Sequence, residues 1–418
     1  MKIIYLSAAL AATSGLSIHA EEQANQHTAI ESLNPALSVV VDGLYQYDDS
    51  SEGISHIKEE MPGFGHGHEE EEHAHGIENG FNLREVELYV TGEIDGYLYA
   101  ESTFAFSEEE AEVETAFFQT TALPWGFSIK GGKFFSDFGI VNTQHPHQWS
   151  FSDQPLIYEL ALGDHGLNEI GAQVGWVADA PFHFSIGAEA FQGDNEAMFA
   201  YEGDDPLPRH SGPRLGVGWL KAGPTLPHGS TLQFGVFGAT GYHQEIHEEI
   251  VGTNNHLDGT SYFVGGDMQY THLAHGDQGQ GDFDLQAEYF LRNKDLNLEA
   301  SDDPGAPLGE RLDSSQDGYY VQARYGFLPR WRAGLRWEQV GLTNDFQEPG
   351  EASESFGDSW RATAMLDFSP SPSTVVRFQA GNGEYTTETG TENVWEGFVQ
   401  VVFTLGTHRH SEEHACTH

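Results

Sequence analysis

Hydrophobic and polar residues alternate along most of this chain with a period of two, which is the pattern of a β-strand with one apolar and one polar face. Between residues 283 and 292, for example, Phe283 and Leu285 alternate with Asp284 and Gln286. No long helical pattern interrupts this alternation from about residue 36 onward. The pattern therefore predicts an all-β protein.

The alternating segments have the length of about ten residues that a tilted strand needs to cross a bilayer. They lie at 36–48, 80–92, 96–107, 111–121, 126–135, 168–178, 181–192, 212–221, 229–240, 261–271, 282–292, 317–327, 330–341, 358–368, 373–382 and 393–405. Short connectors alternate with long ones, which include 49–79, 136–167, 193–211, 241–260, 293–316 and 342–357. A soluble sandwich has no reason to sort its loops in this way. We therefore predict a transmembrane antiparallel β-barrel of about 16 strands, with short periplasmic turns and long extracellular loops.

The amino terminus has the composition of an export signal. Lys2 precedes a short apolar stretch, and small and polar residues follow it up to Ala20. The stretch is too short to span a bilayer, so residues 1–20 are predicted to be a secretory signal peptide. The rest of the chain is then expected to comprise a periplasmic segment at 21–35, the barrel at 36–405 and a periplasmic tail with His and Cys at 406–418.

The charge balance excludes one class of partner. The 418 residues include 65 Asp and Glu but only 18 Lys and Arg, which gives a formal net charge of −47. Nucleic acid is excluded as a partner because its binding needs a basic face. Aromatic residues make up 12% of the chain, which argues against an acidic disordered protein. The single cysteine, Cys416, has no partner for an intramolecular disulfide.

Three segments near the start of the predicted barrel resemble a known family. They are FNLREVELYVTG at 81–92, YLYAESTFAF at 97–106 and IKGGKFFSDFG at 129–139. Together they resemble the opening hairpins of phosphate-selective (O/P-type) porins. The resemblance implies a trimeric barrel of about 16 strands that conducts small solutes across the outer membrane. Phosphate specificity is not carried over, because the chain is far more acidic than a phosphate-collecting pore should be, and it extends past Phe403 to His418.

The predicted lumen carries charges of both signs. The alternation places arginines on the inner face of consecutive strands near the carboxyl terminus, at Arg324, Arg332, Arg336, Arg361 and Arg377. An arginine that faced lipid would cost about 2–4 kcal/mol at the midplane. The loop 136–167 carries the carboxylates Asp153, Glu159 and Asp164, and Gly139 and Gly163 would permit it to fold inward. We predict that these arginines and carboxylates line the pore, with the arginines on the wall facing the loop carboxylates, because charged rings of this kind select ions.

Histidines lie close to acidic residues in three parts of the chain. The first loop has His66, His68, His73 and His75, the predicted loop 241–260 has His243 and His247, and the tail has His408, His410, His414 and Cys416. Imidazole, carboxylate and thiolate groups are ligands for zinc, nickel or copper. We predict loosely bound zinc or another divalent cation at these places, with no cofactor required. Solvated acidic loops and a flexible tail without a role are the alternatives.

The sequence lacks a phosphate-cradling glycine motif, a dinucleotide fingerprint and an HExxH motif, so no enzymatic activity is predicted. The leading interpretation is an outer-membrane porin that passes small hydrophilic solutes or ions by passive diffusion. We expect a homotrimer in contact with outer-membrane lipid and lipopolysaccharide, with His- and Glu-rich loops that concentrate divalent metal such as zinc. The alternatives are a dedicated zinc-regulated metal-uptake receptor and a non-conducting surface metal-binding protein. Ohmic conductance without metal would distinguish the porin from both.

Overall fold

The computed structural model describes residues 35–51, 53–64, 77–108, 111–203, 205–224, 226–227, 229–250, 253–387 and 389–406. In this part of the chain, sixteen strands form one closed antiparallel barrel. They are β1 Ala36–Asp48, β2 Gly80–Ile94, β3 Leu98–Phe106, β4 Ala111–Thr120, β5 Phe127–Phe135, β6 Asn168–Val177, β7 His183–Phe191, β8 Leu215–Gly223, β9 Ser230–Ile250, β10 Thr253–His272, β11 Phe283–Ser301, β12 Arg311–Leu328, β13 Trp331–Gln347, β14 Ser359–Ser371, β15 Thr374–Thr387 and β16 Gly390–Gly406. The predicted fold class is confirmed.

Each strand pairs with its neighbours in the chain, and the last strand closes the ring against the first. Ser38 of β1 lies opposite Gly406 of β16, and the antiparallel register continues to Asp48 opposite Glu396. A bridge at Glu354–Ser355 adds a short pairing to β13. Among the described residues, closure gives every barrel strand a hydrogen-bonded neighbour on both sides, as a hydrocarbon environment requires.

The alternation along the strands sorts side chains between the interior and the outer surface. In β11, Glu288 and Arg292 are buried inside the barrel, whereas Tyr289 between them is exposed on the outside. Val236 and Leu335 are likewise exposed on the outer face. An apolar outer surface around a polar interior is the reverse of a soluble protein and is typical of a barrel in contact with lipid.

Three segments predicted to be long loops are strands over much of their length. β9 and β10 extend through 241–260 as one hairpin, β11 and β12 extend into 293–316, and β13 extends to Gln347. In this region the apolar side chains lie on the inner face of the strands and not on the outer face. They form a cluster of Leu257, Leu296, Leu298 and Leu312. The loop prediction was therefore wrong for these segments: an inner apolar cluster supports the strands here, in place of an outer apolar face.

The remaining connections are short at one end of the barrel and mostly longer at the other. The segments 95–97, 178–182, 329–330 and 372–373 join strands at the first end. The longest connections, 49–79, 136–167 and 192–214, lie at the other end. Among the described residues these connections contain two short α-helices, α1 Ile54–Glu59 and α2 Leu156–Leu162. No helix in the described part of the chain is long and apolar enough to cross a membrane.

Both helices pack inside the barrel on an apolar core. Phe138, which precedes α2 in the chain, is fully buried, and its ring lies 5.0 Å from the rings of Phe237 and Phe263 and 6.0 Å from that of Phe290. These three partners belong to β9, β10 and β11. Burying one aromatic side chain contributes about 1.5–3 kcal/mol, so the cluster fixes the segment around Phe138 against this side of the barrel.

Candidate functional site

The connection between β5 and β6, residues 136–167, folds into the interior of the barrel, and we call it the lumenal loop. It contains a turn at Pro146–Gln148 and the helix α2, whose side chains are nearly all buried. Gly139 and Gly163 adopt φ angles of 64° and 77°, in the left-handed region that glycine enters without strain. The sequence indicated that these two glycines permit the loop to fold inward, and the structure shows the loop inside the barrel.

One side of the lumenal loop is held by what we call the arginine wall, Arg336, Arg361 and Arg377. The Nη2 atoms of Arg336 and Arg361 each lie 2.7 Å from Oδ2 of Asp153. Both guanidinium groups also contact Glu338, at 3.0 Å and 2.7 Å, and both side chains are only 1% exposed. Arg361 also lies 3.6 Å from the buried Glu396, so two buried cations and three carboxylates form one compact network.

This network keeps Asp153 ionised. Burial alone would raise the pKa of the carboxyl group, but Arg336 and Arg361 hold it well below its usual range. The sequence predicted arginines facing loop carboxylates from the wall. In the structure Arg336 and Arg361 are in direct contact with Asp153, so here the opposite charges anchor the loop.

The arginine wall also binds the backbone of the lumenal loop. Arg377 pairs with Asp367 at 2.7 Å and donates a hydrogen bond to the carbonyl oxygen of Trp149 at 3.0 Å. Arg361 donates to the carbonyl of Gln154 at 3.2 Å. In return, the amide of Leu156 donates to Oε1 of Glu338 at 2.8 Å. These contacts define the position of the loop backbone as well as its side chains.

A buried carboxylate that the sequence analysis missed holds the middle of the lumenal loop. Glu288 of β11 accepts hydrogen bonds from the amides of Ile140 and Val141, at 2.9 Å and 3.1 Å, and from the hydroxyls of Tyr158 and Tyr320, at 2.9 Å and 2.5 Å. Burial raises the pKa of Tyr158 well above its ordinary value, so this phenol remains a donor. The inward parity of Glu288 was readable from the sequence, but its partners were not.

The other predicted pore residues lie at several places in the barrel. Both carboxylate oxygens of Glu159 accept hydrogen bonds from the ammonium group of Lys58 in α1, each at 2.8 Å. This ion pair joins the two segments that fold into the barrel. Burial alone would lower the pKa of Lys58, but Glu159 raises it. Asp164 is exposed. Arg324 lies 3.5 Å from Asp284 and Arg332 lies 3.9 Å from Asp282, so these two arginines pair with carboxylates of the barrel and its turns.

Of the predicted metal ligands, the structure describes His243 and His247. They lie on β9, and the Nε2 atoms of both contact Glu245, at 2.8 Å and 2.9 Å, while Lys294 also contacts this carboxylate. The other predicted ligands lie outside the described residues, and so does the predicted signal peptide: His66, His68, His73, His75, His408, His410, His414, Cys416 and residues 1–20. The metal prediction at these places stays a prediction.

A closed barrel of sixteen antiparallel strands with an apolar outer face and an infolded loop defines an outer-membrane porin. The chain belongs to the family of phosphate-selective porins O and P, whose family model matches residues 66–336. This finding confirms the resemblance seen in the sequence and the predicted location in the bacterial outer membrane.

Comparisons with individual proteins agree with this assignment. An uncharacterized protein of Aquifex aeolicus is 32% identical over 389 residues, which cover 90% of this chain and 79% of that protein. Among solved structures, a loop deletion mutant of OmpT from Vibrio cholerae has a TM-score of 0.53 at 11% identity and covers 90% of this chain and 100% of its own. The outer membrane channel DcaP of Acinetobacter baumannii has a TM-score of 0.51 at 12% identity and covers 90% of this chain and 98% of its own. At such identities the two structures support the fold alone.

Proposed function

We propose that this protein is a non-enzymatic diffusion porin that passes small hydrophilic solutes or ions down their gradients. The observation that carries the proposal is the lumenal loop, which is held inside a closed barrel by the ion network of Asp153, Glu338, Arg336 and Arg361. A loop fixed in this way narrows the channel and keeps a constant shape, because breaking a buried ion pair is costly.

We further propose a preference for cations. Arg336 and Arg361 are only 1% exposed and are neutralised by Asp153 and Glu338, so they offer little charge to a permeating ion. Asp164 of the lumenal loop is exposed. The net charge of −47 then attracts cations to the channel and repels anions. Phosphate is for the same reason a poor substrate in this proposal.

Planar-bilayer recording of the purified protein in potassium chloride with EDTA tests both statements. The expected result is ohmic conductance without added metal, with a reversal potential in a salt gradient that favours potassium over chloride. Absence of conductance would contradict the porin and favour the metal receptor or the surface metal-binding protein. A chloride current that phosphate blocks at low concentration would contradict the cation preference.

The finer features expected from the sequence belong to the same proposal. A homotrimer surrounded by outer-membrane lipid and lipopolysaccharide is what the family resemblance implies, and the apolar outer face is compatible with it. Concentration of zinc by the His- and Glu-rich segments is supported by the position of His243 and His247 around Glu245. Lys294 on the same carboxylate weakens that position as a metal site, because an ammonium group already supplies the positive charge.

A further inference from the structure

The lumenal loop meets a second group of ionisable side chains on the side of the barrel formed by β2 and β4. We call Glu85, Glu87 and Glu114 the carboxylate wall. Two histidines of the loop, His145 and His147, flank Pro146 and point their rings at these carboxylates. All five side chains are at most 9% exposed.

The distances between these groups are close to those between ligands of one metal ion, and the two shortest are hydrogen bonds of the imidazoles. His145 Nδ1 lies 2.7 Å from Glu114 Oε2 and 3.7 Å from Glu87 Oε1. His147 Nδ1 lies 2.9 Å from Glu87 Oε1 and 3.7 Å from Glu85 Oε1. Zinc bonds of about 2.0–2.1 Å in a tetrahedron place neighbouring ligands roughly 3.3 Å apart. Small movements of these side chains would therefore accommodate an ion.

Glu87 occupies the centre of the cluster. It forms one group of potential ligands with Glu85 and His147 and another with Glu114 and His145, and the ligand atoms within each group lie within 4.8 Å of one another. The Oε2 atom of Glu87, which is fully buried, has no hydrogen-bond partner, and neither does the buried Oε1 atom of Glu85. Buried carboxylate oxygens without donors are costly unless a cation reaches them.

The cluster holds more carboxyl groups than histidines. If all three carboxylates are ionised, two protonated imidazoles leave one negative charge, which either a proton shared between Glu85 and Glu87 or a bound cation compensates. Arg84, the adjacent cation of β2, is engaged by Asp42 at 2.6 Å. We propose that the carboxylate wall, His145 and His147 bind one divalent transition-metal ion of the zinc class, centred on Glu87, which ties the lumenal loop to β2 and β4.

Protons are the competing occupant of this site. The ring of His145 forms a hydrogen bond with Glu114 at 2.7 Å, and a proton on the ring strengthens this contact. Metal ligation requires the neutral imidazole, so zinc binding releases protons and becomes weaker as the pH falls. Mixed nitrogen and oxygen ligands favour zinc, nickel or copper over calcium or magnesium, which prefer oxygen alone.

The test measures zinc bound by the purified full-length protein after titration with zinc chloride. E87Q, H145Q and H147Q each remove a ligand while keeping a polar side chain of similar size. H165Q is the matched control, because His165 lies on the same loop but its side chain is 64% exposed. E112Q is the matched control for E87Q, because Glu112 is a carboxylate of β4 that contacts Lys133 at 3.4 Å and lies outside the cluster.

The expected result is a loss of one zinc ion per chain in each site variant, E87Q, H145Q and H147Q. The two controls, H165Q and E112Q, should bind as much zinc as the parent. Any residual affinity of the three site variants should be lower by at least about 10–100-fold, the loss that changes outside the ligand shell already cause. Equal zinc binding by the parent and all three site variants would overturn the proposal. Comparing parent and variants in this way removes the contribution of the other histidine segments.

Zinc-edge anomalous diffraction from crystals of the parent keeps the test valid if a variant does not fold. A peak within bonding distance of Glu87 is expected, and peaks confined to other parts of the protein would overturn the proposal. Neither measurement depends on conductance, so failure of the porin assignment and failure of the metal site can be told apart.

Discussion

The arginine wall and the carboxylate wall hold the same loop with opposite signs of charge. At the arginine wall, two permanently charged cations, Arg336 and Arg361, meet the carboxylates of Asp153, Glu338 and Glu396. At the carboxylate wall, three carboxyl groups face two histidines that carry charge only when protonated. The first anchor uses cations that the chain itself supplies, whereas the second depends on protons or a cation from solution. One loop can therefore have a permanent attachment and a conditional one.

Removing a cation from the arginine wall should have the largest effect. R361M leaves Glu338 with less compensation and weakens the contact to Asp153, and breaking a buried ion pair costs about 3–5 kcal/mol. We expect the protein to unfold at a lower guanidinium concentration. We also expect a larger and noisier single-channel conductance as the loop is released. R311M is the control, because Arg311 pairs with Asp295 at the exposed surface, where an ion pair contributes about 0–1 kcal/mol. Equal unfolding and conductance of R361M and the parent would show that the network does not hold the loop.

A double-mutant cycle sharpens this prediction. D153N removes the loop side of the same network and should destabilise the protein in its own right. Because Arg361 and Asp153 contact each other at 2.7 Å, the effects of R361M and D153N should not add. Additive effects in guanidinium unfolding would mean that Arg361 and Asp153 act separately, and the ion-pair anchor would be wrong.

Alkaline pH should weaken the attachment of the lumenal loop to the carboxylate wall and leave its attachment to the arginine wall unchanged. In the metal-free protein, burial alone would lower the pKa of His145, but Glu114 and Glu87 raise it from its ordinary value of 6.5 to about 9. The stabilisation is therefore complete below pH 6.5 and is lost as the pH rises through about 9, by up to roughly 3 kcal/mol. The depressed pKa of Asp153 works in the other direction, so its anchor is lost only in acid.

Channel noise recorded between pH 7 and pH 10 in EDTA checks this difference. The groups that face His145 are Glu114, Glu87 and His147, with the ring of Phe135 on one side. We expect noise to increase with pH in the parent and in H165Q, and to be high and independent of pH in H145Q. A flat profile in the parent would contradict the conditional anchor.

The sequence predicted the barrel and the inward direction of Arg336, Arg361 and Arg377, because both follow from local alternation. Gly139 and Gly163 permitted the loop to fold inward but did not predict that it would. The partners were not predictable in the same way. Asp153 and Arg336 are separated by 183 positions and His147 and Glu87 by 60, so their contacts depend on the register of the barrel and the path of the loop.

The errors in loop prediction have the same origin. The predicted strands have an apolar outer face and end where that face becomes polar. Beyond that boundary Leu296 and Leu298 continue the alternation on the inner face, where Leu257 and Leu312 cover them. A period-two pattern is typical of a strand whichever face is apolar, and on that basis β9 to β12 extend through these segments. Which leucines contact each other depends on the register between the paired strands.

The smallest effect is expected from Lys58, which holds the lumenal loop without belonging to either wall. Its ammonium group contacts both oxygens of Glu159 at 2.8 Å, and the two side chains are 11% and 23% exposed. K58M should therefore cost only about 1 kcal/mol and raise conductance slightly, because both walls still fix the loop. K58R keeps the ion pair and should match the parent in guanidinium unfolding and in conductance. An effect of K58M as large as that of R361M would mean that the segment 53–64 holds the loop in place, and the two walls would then be secondary.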